Sequence, residues 1–155
     1  MAAGTFTMFD KALLNVVNAT HLLDPANTFK WTLHTSAYTP GVATHEVYAD
    51  LTNELATANG YTAGGATLAN DAVTLAAGTV KFTGDPTSWT ASGGSIPAWR
   101  TAVLRVSGTL NGKVDPLVGY FLGDSTPADV PATTTGNTLT ITPNASGIVA
   151  ATHTP

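Results

Sequence analysis

The chain alternates apolar and polar residues over several short runs. In Phe29 to Thr35, Phe29, Trp31 and Leu33 take turns with Lys30, Thr32 and His34. A period of two predicts a strand with one apolar and one polar face. Trp99 to Leu110 repeats the pattern, with Ala102, Leu104 and Val106 on one side and Trp99, Thr101, Val103 and Arg105 on the other. Asn111-Gly112 is a strong hairpin signal, and Leu117 to Leu122 is the return strand. Thr67 to Leu75 and Val80 to Thr83 read as a hairpin closed at Ala76-Ala77-Gly78. After the turn Gly84-Asp85-Pro86 comes a short strand piece, Ser88-Trp89-Thr90. Thr138 to Thr142 and Gly147 to Ala151 close the chain around Pro143-Asn144.

Helical spacing occurs only near the start. Phe9, Leu13, Val16 and Val17 fall three or four apart, with Ala12 and Leu14 beside them, and the run ends near Asn18. Thr7 and Asp10 stand at capping-box spacing, with Asp in place of Glu or Gln. A helix this short is expected to draw its stability from packing against a sheet. A second short helix is expected over Thr44 to Leu51, with Thr44 as cap and Val47 and Leu51 facing inward. Together these runs predict a mainly β protein. The expected fold is an antiparallel β-sandwich or open barrel of about seven or eight short strands with one or two short N-terminal helices. Residues 1–123 read as a β-rich domain with an N-terminal helix. Residues 124–155 read as a Pro/Thr-rich loop followed by terminal strands or an arm of the same domain.

Composition sharpens this picture in one respect. Only 10% of the 155 residues are charged, where about 25% is typical. Thr, Ala and Gly take their place. A surface poor in ions is easier to bury against a partner, because few charges must be stripped of water. The expectation is therefore an assembly protein rather than a solitary enzyme. The six Lys and Arg are scattered and the net charge is −4, which argues against nucleic acid as a partner. No apolar run approaches the ~20 residues of a membrane-spanning helix. Asp10 and Lys11 interrupt the first apolar stretch, so no signal peptide is expected. The chain has no cysteine, so no disulfide or thiolate metal site is available.

Catalytic and ligand motifs are not evident. His21, His34, His45 and His153 share no metal-ligand spacing, although His34 and His45 are free to meet in space. Glu46, Asp50 and Glu54 recur every four residues and would form an acidic stripe on a continuous helix. Gly60-Tyr61-Thr62-Ala63-Gly64-Gly65 lacks the Gly-Lys-Ser/Thr end of a phosphate loop and reads as a turn into the next strand. Two glycosylation sequons, Asn18-Ala19-Thr20 and Asn144-Ala145-Ser146, are of a kind frequent by chance. No catalytic residue, cofactor site or metal site is expected. Most of Trp31, Trp89, Trp99, Tyr61 and Tyr120 are expected in the core. Trp99, opposite the apolar face of its strand, is the best candidate for an exposed or interface ring. The candidate interface residues are Trp99, Tyr61, Thr133, Thr134 and Thr135.

Three stretches carry a family resemblance: Leu33 to Pro40, His45 to Leu51, and Gly60 to Ala69. Trp89 and the Trp99 to Val106 strand keep the order. From about Met8 to Leu122 the chain resembles a group of small virion structural proteins of tailed phages. The region after Gly123 departs from that pattern. The resemblance implies a bacteriophage virion protein, most naturally a capsid decoration (cement) protein. Such a protein forms a homo-oligomer, often a trimer, and bridges neighbouring subunits of the major capsid protein. The alternative is a minor tail or tail-tip protein touching other tail proteins, with a host-surface or carbohydrate-binding role.

Overall fold

Two six-residue strands, β2 (Phe29–His34) and β7 (Thr101–Val106), form the centre of the fold. They pair antiparallel over their full length, from Phe29 opposite Val106 to His34 opposite Thr101. In the computed structural model, which describes residues 3–18, 21–126 and 128–153, they belong to a five-stranded sheet. Its order is β1 (Thr7–Met8), β10 (Leu117–Leu122), β7, β2, β3 (Ala66–Thr67). The alternation read from the sequence is obeyed. Trp31 lies opposite Leu104 and Leu33 opposite Ala102, so these apolar side chains share one face.

That face packs on two smaller sheets. One pairs β6 (Thr87–Thr90) with β11 (Thr138–Ile141). The other runs in the order β12 (Val149–Thr152), β5 (Thr79–Thr83), β4 (Ala72–Ala76). Phe29 meets Phe82 of β5 with ring centroids 4.8 Å apart. Trp31 meets Phe121 edge-on at 5.4 Å and Phe6 at 6.0 Å. Trp89 of β6 and Ile141 of β11 complete this core. The fold is mainly β, antiparallel and sandwich-like. A further small hairpin joins β8 (Thr109–Leu110) to β9 (Lys113–Val114).

The twelve strands among the described residues exceed the expected seven or eight because several runs break at left-handed residues. Asn70 (φ 49°) separates β3 from β4, and Asp115 (φ 52°) separates β9 from β10. The two tight hairpins fall where expected. Ala77-Gly78 and Asn111-Gly112 each have both φ positive, the geometry that matches strand twist across a two-residue link. The two terminal strands do not pair with each other around Pro143-Asn144. β11 joins β6 and β12 joins β5, so residues after 124 are woven into the sandwich. Thr154 and Pro155 of the tail, and Ala19 and Thr20 of the first sequon, lie outside the described residues.

The helical expectations need correcting. The first helix, α1, spans Asp10–Val17 and is capped by Phe9 with no side-chain hydrogen bond. Thr7 is already in β1, so the expected capping box does not form. Over Thr44 to Leu51 there is only a single 3₁₀ turn, Tyr48–Asp50. Asp50 accepts the backbone N–H of Glu46 and Val47 at 2.8 and 3.0 Å, and these bonds close that turn.

Glycines flank Tyr61 for a steric reason. A Cβ on Gly60 (φ 93°) would lie 2.0 Å from the Thr90 carbonyl oxygen, and one on Gly65 (φ 81°) would lie 2.0 Å from that of Trp31. These two close approaches lock the Gly60–Gly65 turn between β6 and β2. Gly65→Ala is expected to cost about 3 kcal/mol or more, since strain and clash add. Gly112→Ala, with positive φ but no atom within 4 Å of its Cβ, should cost only about 1 kcal/mol. Urea denaturation midpoints of the two variants check the contrast.

Candidate functional site

The second face of the central sheet carries the polar half of the alternation, and it is not left to water. Thr32, His34 and Thr101 are fully buried, and Arg105 is 4% exposed. The segment after β2 covers them. Val47 bridges Pro116 at the start of β10, and Glu54 bridges His34 at the end of β2. The chain between them therefore crosses over β7, and the Tyr48 ring lies 4.3 Å above the Arg105 guanidinium.

Burial of such groups is costly without partners; of their side-chain polar atoms, Thr101 Oγ1 and Arg105 Nε are left without one. Glu54 is the hub. Its carboxylate accepts Tyr61 Oη at 2.6 Å, the Gly64 N–H at 2.8 Å, and the Tyr48 hydroxyl. Tyr61 Oη also accepts the Leu33 N–H at 3.0 Å. Arg105 donates to Gly64 O at 2.8 Å and pairs with Asp115 at 3.1 Å. Burial and the Glu54 carboxylate push the Tyr48 hydroxyl up to about 12. The same causes, burial first, raise Tyr61 further. Both phenols are held as donors.

A second group surrounds Tyr38. Its ring packs on His34 at 4.7 Å and stacks on His45 at 5.8 Å, and its hydroxyl lies 3.1 Å from His45 Nδ1. The two histidines therefore do come together, bridged by a phenol. Thr52 O can only accept, so His34 Nδ1 carries the proton and donates to it at 2.8 Å, while Nε2 faces Thr32 Oγ1 at 3.0 Å. Burial lowers the His34 pKa below 6.5, outweighing the opposing effects of Thr52 and Glu54.

No continuous helix forms here, so Glu46, Asp50 and Glu54 make no acidic stripe and take three separate roles. Glu46 pairs with Lys113 at 3.0 Å, Asp50 accepts two N–H groups, and Glu54 clasps the tyrosines. A groove of about 520 Å³ opens beside this region, lined by Glu46, Tyr48, Asp50, Lys113 and Asp115. Each carboxylate in it already accepts from a named donor. A second groove, about 500 Å³, lies between Phe6, Trp31, Phe121, Ile141 and Ile148, and no titratable side chain lines it. Among the described residues no three His, Asp or Glu gather where a metal ion would sit. No described helix is long and apolar enough to cross a membrane.

The candidate interface residues separate into two kinds. Trp99 and Tyr61 are only 4% and 1% exposed, which corrects the expectation of an exposed Trp99. Its ring abuts Phe121 at 6.3 Å, and its backbone bridges Val130. Phe121 pairs opposite Ala102 and meets Trp31, so the Trp99 ring sits on the apolar side of the sheet and the alternation does not extend back to it. Thr133 is half-buried, where its backbone exchanges hydrogen bonds with Ile96 at 3.0 Å, while Thr134 and Thr135 are exposed.

The sequence did not reveal where the exposed apolar side chains lie. On α1 only Ala12 is buried; Leu13, Leu14 and Val17 are 54%, 51% and 75% exposed. On the β4–β5 hairpin, Val73, Leu75 and Val80 are 45%, 72% and 41% exposed. Outer strand positions elsewhere are joined by hydroxyls instead of charges. Ser88 meets Thr140 at 2.8 Å, Thr90 meets Thr138 at 3.1 Å, and Thr79 meets Thr152 at 3.0 Å. Compared with family models, curated proteins and solved structures, the chain matches none.

Two outcomes follow from the buried cluster. Tyr61→Phe strips an acceptor from the Leu33 N–H and a donor from Glu54, and is expected to cost about 1–3 kcal/mol in urea unfolding. The His34 effect depends on pH. Its folded pKa is depressed, so between that value and 6.5 the unfolded chain binds more protons and stability decreases as the pH is lowered. The melting temperature is expected to drop from pH 7 to pH 5, with a shallower drop in His34→Asn. The Asp50 contribution, set by a carboxyl held below its usual range by two N–H donors, is lost only at lower pH.

Proposed function

We propose that this chain is a non-enzymatic structural protein of a tailed-phage particle, acting as a decoration protein that bridges subunits of the shell. One observation carries the reading. Large apolar side chains are concentrated on the outside of two elements, α1 and the β4–β5 hairpin, in a chain with only 10% charged residues. Exposed apolar clusters of this kind mark interaction sites. Few ions stand near them to resist desolvation, and the hydroxyl-paired strands present surfaces that bond across an interface without burying charge. The buried cluster supports the same reading: its carboxylates and phenols are committed to one another, which stiffens the scaffold. A binder that stabilises the closed shell acts by mass action, adding free energy for each site filled.

The carbohydrate-binding alternative is less well supported. Trp31, Trp89, Trp99 and Tyr61 are all at most 5% exposed, so none presents a ring face on which a sugar stacks.

Quantitative mass spectrometry of purified particles tests the proposal. The expected result is a fixed ratio to the shell protein, in the range of one to a few shell subunits per copy. A handful of copies per particle would move the chain to the tail, and absence from particles would overturn the reading. Leu13→Lys combined with Val17→Lys should leave the melting temperature nearly unchanged, because both sites are exposed, while reducing incorporation into particles.

A further inference from the structure

The hairpin sheet ends in an unprotected edge, and the geometry of that edge selects its partner. β5 directs its Gly78 and Phe82 carbonyls toward the β12 side, where they accept the N–H of His153 and Ile148, each at 2.8 Å. The intervening residues Thr79, Lys81 and Thr83 therefore turn their backbone groups toward β4. Their partners there are Ala76, Thr74 and Ala72. By alternation, the N–H and C=O of Val73 and Leu75 point away from the sheet, and no described strand lies beyond them. These are the same two residues whose apolar side chains are 45% and 72% exposed.

Natural edge strands are usually guarded by Lys, Pro, a bulge or a covering loop. β4 has none of these: its sequence is Ala-Val-Thr-Leu-Ala and its register with β5 is unbroken. No charged residue occurs from Ala72 to Val80. We infer that β4 is the docking edge for a second copy of this chain, pairing antiparallel with its own counterpart about a two-fold axis at Thr74.

The sequence of the strand is self-complementary in that register. Val73 stands opposite Leu75 of the second copy, and Leu75 opposite its Val73. These are the residues with outward backbone groups, so each pair exchanges two main-chain hydrogen bonds. Ala72 faces Ala76, and Asp71 faces Ala77, so no like charges meet across the axis. The apolar faces of the two hairpins, Val73, Leu75, Val80 and Phe82, then run on without interruption into a six-stranded sheet. The other free edge, β12, offers a β4-to-β12 pairing that does not close and propagates into filaments. The two-fold pairing closes after two copies. A single strand pair buries well under the ~800 Å² per partner of a standard interface. The free dimer is therefore weak, and a crowded particle surface completes it. The inference deepens the assembly reading and rests on it for its role.

The chain has no cysteine, so one introduced thiol reports the register directly. Thr74 is exposed and on the polar face. Across the axis it forms a non-hydrogen-bonded pair with Cα atoms ~4.5 Å apart, within disulfide reach. Under mild oxidation, Thr74→Cys is expected to form a covalent dimer about tenfold or more faster than Ala56→Cys, an exposed loop control. Leu75→Lys in the Thr74→Cys background should remove that advantage with the fold unchanged by circular dichroism. Sedimentation velocity on the unaltered chain should show a dimer fraction that rises with concentration. Crosslinking no faster than the control overturns the inference, as do filaments or a crosslink between Thr74→Cys and Ala150→Cys chains that outruns it. Particle incorporation is measured separately. A Thr74→Cys dimer from a chain absent from particles sinks the phage assignment and leaves the edge pairing standing; the converse result sinks only the pairing.

Discussion

The structure depends on the double burial of β2 and β7. A strand in the middle of an antiparallel sheet can leave one face to water, but here both faces are closed. The apolar face meets the smaller sheets through Phe29, Trp31 and Leu104. The polar face lies beneath the chain that runs from His45 to Gly65. Thr32 and His34 bond to each other and to Val103 O and Thr52 O, and Arg105 is held through its two terminal nitrogens while its Nε stays unpartnered; an unpaired buried group costs about 1–3 kcal/mol. Glu54 fixes the covering segment by receiving two phenols and one N–H at once.

That demand explains much of the surrounding architecture. Tyr61 reaches Leu33 and Glu54 because Gly60 and Gly65 bring its turn against Thr90 and Trp31. The crossing segment forms a 3₁₀ turn and bridges instead of a helix because its carboxylates are occupied in three different places. The interior is thus densely committed, whereas the exterior is permissive. α1 and β4 contribute little to the core and hold apolar side chains outward, while β5 sends Phe82 inward against Phe29. The centre is thus built from committed contacts, with a few polar atoms such as Trp31 Nε1 and Thr101 Oγ1 left unpartnered, while the outer elements leave apolar side chains exposed.

The strands and tight turns were legible in the sequence. The two alternating runs mapped onto β2 and β7 with the faces as read, and both two-residue hairpins fell where Gly followed Ala77 or Asn111. Legibility failed at α1, where the periodic apolar residues Leu13, Val16 and Val17 proved to face outward. A hydrophobic stripe fixes which side chains share a face, not what covers that face. It failed again at Trp99, which lies before the start of β7 and whose ring packs on Phe121 with the apolar side instead of continuing the strand's alternation. The Glu54 clasp was missed for another reason: Tyr48, Tyr61 and Gly64 all lie within ten residues of Glu54, but the irregular backbone between them sets no periodic pattern that would bring them together.

The sequence alone therefore determined the local geometry: which residues extend, where the chain reverses, and which side chains share a face. These follow from steric limits on neighbouring residues. The tertiary structure alone decided what covers each face, that β11 and β12 join different sheets, and that the edge of β4 is left open. Those outcomes depend on which distant segments meet, and the free energy of such meetings is shared among residues that no short window contains.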